Sequence, residues 1–228
     1  MKTAHDDKPL NITLKDMQLQ GFLRIPKEAK GVVIFAHGSG SSRFSHRNRF
    51  VAEYFYQLKI GTLLFDLLTE EEEEKDRLSG VCRFNISFLA ERLGEVTDWL
   101  INKFQAEKIN LPIGFFGAST GAAAAIEAAV RRPNVVKAIV SRGGRPDLAT
   151  LVLPRIKVPT LLIVGGSDTD VLRLNRNAYQ YIQAPKNLYI VKGATHLFEE
   201  PGTLQEVACV AAQWFEKYFA IILEWKGV

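Results

Sequence analysis

A serine lies between two glycines in the segment G-A-S-T-G, at residues 117–121. This segment follows an apolar run at residues 112–116 and precedes four consecutive alanines. A serine on a sharp strand-to-helix turn is exposed as a nucleophile, and glycines on either side of it avoid collisions in the strained backbone. The alternative is an ordinary glycine-rich turn with an incidental serine. The strand–turn–helix context favours Ser119 as a nucleophile.

A serine hydroxyl needs a base to take its proton, and that base needs an acid to orient it. Of the four histidines in the chain, His196 follows the last predicted strand and precedes the final helix. The segment G-G-S-D, which ends at Asp168, follows the preceding predicted strand and supplies the acid. We expect Asp170 to cap the next helix instead, and Asp147 is a further acid candidate. The predicted triad is Ser119, Asp168 and His196.

A second glycine-rich loop, H-G-S-G-S-S-R at residues 37–43, follows the predicted strand at residues 32–36. It lacks the lysine of a phosphate-binding loop and the third glycine of a dinucleotide-binding loop. Such a turn can instead aim a backbone N–H group at the oxygen that becomes negative during acyl transfer. We expect the backbone N–H groups of Ser39 and Thr120 to form this oxyanion hole.

Three arginines follow strands at the sheet edge that is predicted to carry Ser119, namely Arg43, Arg142 and Arg145. Forked guanidinium groups suit carboxylates and phosphates, so one hypothesis is that they bind an anionic group of the substrate. The alternative is that they only brace the loops by pairing with nearby acidic residues, namely Asp147, Glu199 or Glu200.

The pattern of apolar residues predicts the elements that position these groups. Continuous apolar runs predict buried strands, whereas residues 20–25 alternate like a half-buried edge strand. Amphipathic stretches between them predict helices, two of which begin with a capping pattern at Thr69 with Glu72 and at Thr203 with Glu206. Alternation of strands and helices predicts an α/β fold, with a mainly parallel sheet covered by helices on both faces. We predict one domain over residues 1–228, with residues 1–19 as an N-terminal extension or an edge strand.

Composition excludes several other classes of protein. The chain has 228 residues, 47% of them hydrophobic and 24% charged, which is typical of a globular domain. Its apolar runs are too short to span a membrane, and its first residues lack the apolar core of a secretory signal, which predicts a cytoplasmic protein. Basic residues are scattered despite a net charge of +4, so we expect no nucleic-acid partner. Cys82 and Cys209 form no metal-binding motif, and we expect neither a metal nor another cofactor.

Taken together, these motifs resemble the α/β-hydrolase superfamily and, within it, the dienelactone hydrolase-like group. The resemblance extends from about residue 20 onward and includes G-A-T-H-L-F-E-E-P-G at residues 193–202 and S-R-G-G-R-P-D-L-A at residues 141–149. It implies an eight-stranded, mostly parallel sheet with the site at the C-terminal edge of the strands. The matching branch is sometimes associated with phosphoribosyltransferase domains. Dienelactone hydrolases use a cysteine nucleophile where this chain has Ser119, so the name of the group does not identify the substrate.

Residues 141–158 are too few to form a separate lid domain, which predicts an open site for a small acyl group. The sequence therefore predicts a cofactor-free serine hydrolase that acts on a small ester or related acyl compound through an acyl-enzyme. Two alternatives are an acyltransferase that uses the same acyl-enzyme and a non-catalytic ligand-binding protein on the same fold. The acyl group, the leaving group and the oligomeric state stay open.

Overall fold

The computed structural model describes residues 9–224, with side chains described up to residue 220, and its centre is an eight-stranded sheet. The strands are β1 (Leu10–Thr13), β2 (Gln18–Arg24), β3 (Gly31–Ala36), β4 (Ile60–Phe65), β5 (Ile113–Ala118), β6 (Val136–Arg142), β7 (Thr160–Gly165) and β8 (Lys186–Val191). Their spatial order is β1-β2-β4-β3-β5-β6-β7-β8. β1 and β2 are antiparallel additions at one edge, and all other neighbours are parallel. The predicted fold class is confirmed.

Helices cover both faces of this sheet. They are α1 (His46–Gln57), α2 (Glu70–Ser79), α3 (Ile86–Ala106), α4 (Thr120–Arg131), α5 (Thr169–Tyr181) and α6 (Thr203–Glu224). α3 and α4 contribute to the core on one face, and α1 and α6 contribute to the core on the other. Every residue of β3, β4, β5 and β7 is buried, as expected for strands covered on both sides.

The segment between β6 and β7 contains a short 3-10 helix, Pro146–Arg155, and no separate lid domain lies between these two strands. Because β3, β5, β6, β7 and β8 run parallel, the loops that follow them lie at one edge of the sheet. This edge therefore collects the loops that contain the predicted site residues.

The two predicted capping patterns have different outcomes. Thr69 and Glu72 form the reciprocal capping box at the start of α2, with N–H to side-chain oxygen distances of 3.1 and 2.8 Å. The pattern at Thr203 was wrong, because Thr203 is already the first helical residue of α6 and its hydroxyl donates to the Glu200 carbonyl. Glu206 instead accepts a hydrogen bond from the Tyr189 hydroxyl at 2.8 Å.

Candidate active site

Ser119 is the single residue between the end of β5 and the start of α4. Its backbone has φ 51° and ψ −122°, a conformation that L-residues rarely adopt. Its N–H donates to the Arg142 carbonyl at 3.3 Å, and its own carbonyl accepts from the Arg145 N–H at 3.1 Å. These backbone bonds hold the strained turn against the end of β6 and present the serine side chain at the sheet edge.

The flanking glycines have a steric reason to be glycines. A Cβ built on Gly117 would lie 2.4 Å from the Ala122 Cα, and one built on Gly121 would lie 2.2 Å from the Ala36 carbonyl oxygen. Both distances are far below van der Waals contact with backbone atoms that cannot easily move. The G-A-S-T-G segment therefore permits the close approach of α4 to β3 and β5 that this turn requires.

His196 and Asp168 are joined by a hydrogen bond, as the sequence predicts. His196 Nδ1 lies 2.7 Å from Asp168 Oδ2. Because a carboxylate oxygen accepts this hydrogen bond, Nδ1 is the donor, and in the neutral imidazole the free lone pair is then on Nε2. The imidazole side chain is 40% exposed and the carboxylate is 13% exposed, so the acid is the more enclosed partner.

The other two acid candidates, Asp147 and Asp170, bind arginines and not His196. Asp147 binds the guanidinium of Arg145 with both carboxylate oxygens, at 2.9 and 2.7 Å. Asp170 is exposed and lies 3.8 Å from Arg173 within α5. The expectation that Asp170 caps this helix was wrong, because the residue at the capping position is Asp168, whose side chain binds His196 rather than the helix backbone.

The loop that carries His196 packs next to the serine turn. A Cβ built on Gly143 would lie 3.6 Å from His196 Cε1. Gly143 directly follows Arg142, the residue whose carbonyl binds the Ser119 N–H. Within residues 9–220 no hydrogen bond joins the Ser119 hydroxyl to the His196 ring, although both residues lie on loops at the same sheet edge.

The predicted oxyanion loop lies beside the nucleophile. Thr120 is the first residue of α4, so its backbone N–H has no acceptor within the helix. The Ser39 N–H, however, donates to the Thr120 hydroxyl oxygen at 2.9 Å. The second expected donor is therefore engaged by a side chain in this structure, a contact that the sequence analysis did not anticipate.

His37 organises the base of this loop rather than acting as a second base. Its Nε2 accepts from the Leu67 N–H at 3.0 Å, so the ring proton is on Nδ1, which donates to the Gly38 carbonyl at 3.0 Å. Burial lowers the pKa of His37, which keeps the ring neutral. A neutral imidazole with both nitrogens engaged has no free lone pair for a serine proton.

The three predicted substrate-binding arginines have different surroundings. Arg43 binds Asp66 through both its backbone N–H and its guanidinium, and Arg145 binds Asp147. Asp66 was missed as a partner, although its position directly after β4 at the same sheet edge was a usable signal. Arg142 is 6% exposed and has no carboxylate partner among the described residues.

No group of His, Cys, Asp and Glu residues arranged to hold a metal ion occurs among the described residues. In the same part of the chain, no helix is both long enough and apolar enough to cross a membrane. The cytoplasmic location and the absence of a nucleic-acid partner stay predictions.

The strand order, the strained serine turn after β5 and the acid and histidine on the loops after β7 and β8 define an α/β-hydrolase fold. The chain is 51% identical to a dienelactone hydrolase from Anabaena variabilis ATCC 29413, whose crystal structure matches it with a TM-score of 0.89. That match covers 93% of this chain and 97% of the Anabaena chain. The chain therefore belongs to the dienelactone hydrolase family, which confirms the resemblance seen in the sequence.

More distant matches show the fold alone. Est1E from Butyrivibrio proteoclasticus is 13% identical, with a TM-score of 0.74 over 93% of this chain and 99% of Est1E. No protein-family model matches the sequence.

Two curated relatives from Mycobacterium tuberculosis are longer than this chain. Proteins of strains CDC 1551 / Oshkosh and ATCC 25618 / H37Rv, both named "Putative phosphoribosyl transferase", are 51% identical to it over 209 residues. These alignments cover 92% of this chain but 46% of each relative, so the chain spans about half the length of the curated relatives it matches. The prediction of a single domain over residues 1–228 stays a prediction.

Proposed function

We propose that this protein is a hydrolase that cleaves a small carboxylic ester or related acyl compound through a Ser119–His196–Asp168 triad. The observation that carries the proposal is the strained Ser119 turn on the same sheet edge as a histidine that is already oriented by a largely enclosed carboxylate. Membership of the dienelactone hydrolase family and the hydrolase name of the Anabaena relative support it.

The reaction begins with the transfer of a proton from the serine to the histidine. Asp168 accepts the Nδ1–H of His196, so the lone pair on Nε2 takes the proton of the Ser119 hydroxyl while Ser119 Oγ attacks the substrate carbonyl. Because the imidazole is 40% exposed on a loop, it has room to close onto the hydroxyl when substrate binds. Catalytic hydrogen bonds commonly tighten in this way when the substrate arrives.

The remaining steps return the enzyme to its starting state. His196 donates the proton to the leaving group as the ester bond breaks, which leaves an acyl group on Ser119 Oγ. A water molecule then gives its proton to His196 and attacks the acyl carbonyl. Collapse of this second intermediate releases the acid and returns the proton to Ser119. No step requires a metal or another cofactor.

The oxyanion is stabilised in this proposal by the backbone N–H groups of Thr120 and Ser39. The Thr120 donor is free of helix partners, whereas the Ser39 donor binds the Thr120 hydroxyl. A negatively charged oxygen is a stronger acceptor than a neutral hydroxyl, so the developing oxyanion displaces the threonine side chain from the Ser39 N–H. The Thr120 hydroxyl is thus a placeholder for the oxyanion between turnovers.

Labelling with a fluorophosphonate, combined with a panel of short-chain esters, tests the proposal. We expect the wild type to be labelled at Ser119, and Ser119→Ala to lose both labelling and turnover by several orders of magnitude while it stays folded. Ser87→Ala is a matched control, because this exposed serine only binds Glu127 on the neighbouring helix. Esterase activity near the wild-type level in Ser119→Ala would refute the proposal. Product analysis with added alcohols or thiols separates hydrolysis from acyl transfer.

A further inference from the structure

Arg142 is a buried cation without a buried anion. It is the last residue of β6 and only 6% exposed, and its Nε–H has no hydrogen-bond partner among the described residues. Its remaining contacts are weak. Nη2 lies 3.4 Å from Asn48 Oδ1, and the guanidinium lies 5.9 Å from the centre of the Phe198 ring. Neither contact supplies a negative charge.

Another arginine of the same chain shows how a buried guanidinium is neutralised when it has a structural role. Arg92 is 3% exposed, and both of its terminal nitrogens bind the carboxylate of Glu72, at 3.0 and 2.8 Å. A buried charge without such a partner is strongly unfavourable, so its persistence calls for an explanation. Arg142 therefore differs from Arg92 in lacking the anion that its environment requires.

A second cation increases the positive charge around Arg142. Burial, followed by the charge of Arg47, lowers the pKa of Arg142 to about 10, so the guanidinium is still charged at neutral pH. Within the described part of the chain, the buried Nε–H of Arg47 also has no hydrogen-bond partner. Arg47 and Asn48 belong to the first turn of the 12-residue helix α1, where helix N–H groups favour a negative charge. Two guanidinium groups thus lie beside the start of α1, where the Asn48 N–H already donates to the Ser45 hydroxyl oxygen and the preceding N–H groups have no acceptor within the helix.

This position adjoins the proposed active site. The carbonyl of Arg142 binds the backbone of the nucleophile, and a Cβ built on the next residue, Gly143, would lie within 3.6 Å of both His196 and Phe198. An anionic group that reaches Arg142 would therefore belong to a molecule that is also close to Ser119.

The second cation, Arg47, is held only by a weak ion pair. Arg47 Nη1 lies 3.4 Å from Glu199 Oε1, and the Glu199 side chain is 67% exposed. Exposed ion pairs of this length contribute little to stability, so an incoming anion can take the place of the Glu199 carboxylate on Arg47.

We propose that Arg142, together with Arg47 and the start of α1, forms a subsite for a carboxylate or phosphate group of the substrate. This inference rests on the proposed hydrolase function and specifies its substrate class as anionic esters. Arg43 and Arg145 are excluded from the subsite, because Asp66 and Asp147 already neutralise them.

Two esters that differ only in charge test the subsite. Monoethyl succinate carries a carboxylate where ethyl 4-methylpentanoate carries an uncharged isopropyl group of similar shape. We expect the wild type to prefer the charged ester, and Arg142→Gln to lower the ratio of the two kcat/KM values at least tenfold, mainly through KM for the charged ester. Glu199→Gln removes the competing carboxylate, so we expect it to raise the same ratio. High salt should lower the preference of the wild type.

Arg131→Gln is the matched control, because it removes one arginine at the opposite end of α4, where Arg131 pairs only with Glu127. We expect it to leave the ratio unchanged. Equal effects of Arg142→Gln on both esters, or no effect of Glu199→Gln, would overturn the subsite. If Arg142→Gln does not fold, Glu199→Gln still decides, because its predicted effect has the opposite sign.

A binding measurement separates this inference from the proposed function. Calorimetric titration of Ser119→Ala protein with succinate and with inorganic phosphate needs no turnover. We expect binding that is lost in the Ser119→Ala, Arg142→Gln double variant. Absence of binding would overturn the subsite even if esters are hydrolysed. Binding of inorganic phosphate without any preference for the charged ester would assign the site to a free anion and overturn its role in substrate recognition.

Discussion

Replacement of Asp168 by asparagine is the sharpest test of the proposed triad, because it changes one proton position and almost no volume. In the wild type the carboxylate accepts the Nδ1–H of His196 at 2.7 Å, which leaves the Nε2 lone pair for the serine proton. An asparagine amide can donate to Nδ1 instead, and the ring proton then moves to Nε2. The imidazole is still held in place, but it no longer has a lone pair for Ser119.

The expected loss follows from that wrong tautomer. In a serine protease triad the same substitution lowers kcat by about 10⁴-fold, which corresponds to about 5 kcal/mol of transition-state stabilisation. His196 is 40% exposed, so water competes for its nitrogens and permits tautomer exchange. We therefore expect a smaller loss in kcat for Asp168→Asn, of about 10²–10⁴-fold, with little change in KM.

Steady-state kinetics on one short-chain ester, together with a thermal unfolding curve, are sufficient for this measurement. Asp170→Asn is the control, because Asp170 is exposed and forms only a long ion pair of 3.8 Å with Arg173. We expect the activity of this variant to match the wild type. Activity of Asp168→Asn within threefold of the wild type, in a folded protein, would refute the reasoning. A larger loss in Asp170→Asn than in Asp168→Asn would transfer the acid role to Asp170.

Three further predictions concern the Ser119 turn, the oxyanion hole and the ion pair between Arg92 and Glu72. Ser119→Gly should abolish activity yet unfold about 2–4 °C above Ser119→Ala, because glycine relieves about 1 kcal/mol of strain at φ 51°; an equal melting temperature would contradict this. Thr120→Val removes the acceptor that engages the Ser39 N–H, so kcat/KM should equal the wild-type value or exceed it by up to about fivefold. A tenfold loss would instead show that the hydroxyl is itself a donor to the oxyanion. Glu72→Gln leaves the buried Arg92 guanidinium with only the Glu95 carboxylate, at 3.8 Å, and should cost about 1–3 kcal/mol at pH 7 by urea unfolding. Burial alone would raise the pKa of Glu72, but hydrogen bonds from Arg92 and Thr69 lower it overall, so the wild-type advantage should be complete above pH 4.5 and shrink as the pH falls below that value. A loss that is the same at pH 3 and at pH 7 would contradict this account.

Local patterns in the sequence were sufficient for the fold class and for much of the candidate site. The strands that precede Ser119 and Asp168, β5 and β7, are continuous apolar runs, and such runs require burial on both faces of the sheet. The turn at residues 117–121 is specified by residue size, because only glycine fits at Gly117 and Gly121. Parallel strands then bring residues that are far apart in sequence to one edge, which is why Asp168 could be placed beside His196 before the structure was known.

Tertiary structure alone decided which polar groups at that edge are free and which are engaged. The Ser39 N–H binds the Thr120 hydroxyl, although 81 positions separate the two residues. Glu206 accepts a hydrogen bond from Tyr189 of β8 instead of closing a capping box, and Thr203, the other member of that pattern, is already inside the helix. No periodicity or spacing encodes such contacts, since each depends on how two separate loops approach one another.

The arginines also show which features the sequence determines and which the tertiary structure decides. Their residue type and their positions after parallel strands predicted a common edge, which suggested either anion binding or bracing by acidic residues. Whether a guanidinium is neutralised depends on which carboxylate the packed chain brings within about 3 Å. Asp66 and Asp147 reach Arg43 and Arg145, whereas no described carboxylate reaches Arg142. The sequence determined where the positive charges are, and the tertiary structure determined which of them has no anionic partner among the described residues, because charge pairing is a property of distance in space and not along the chain.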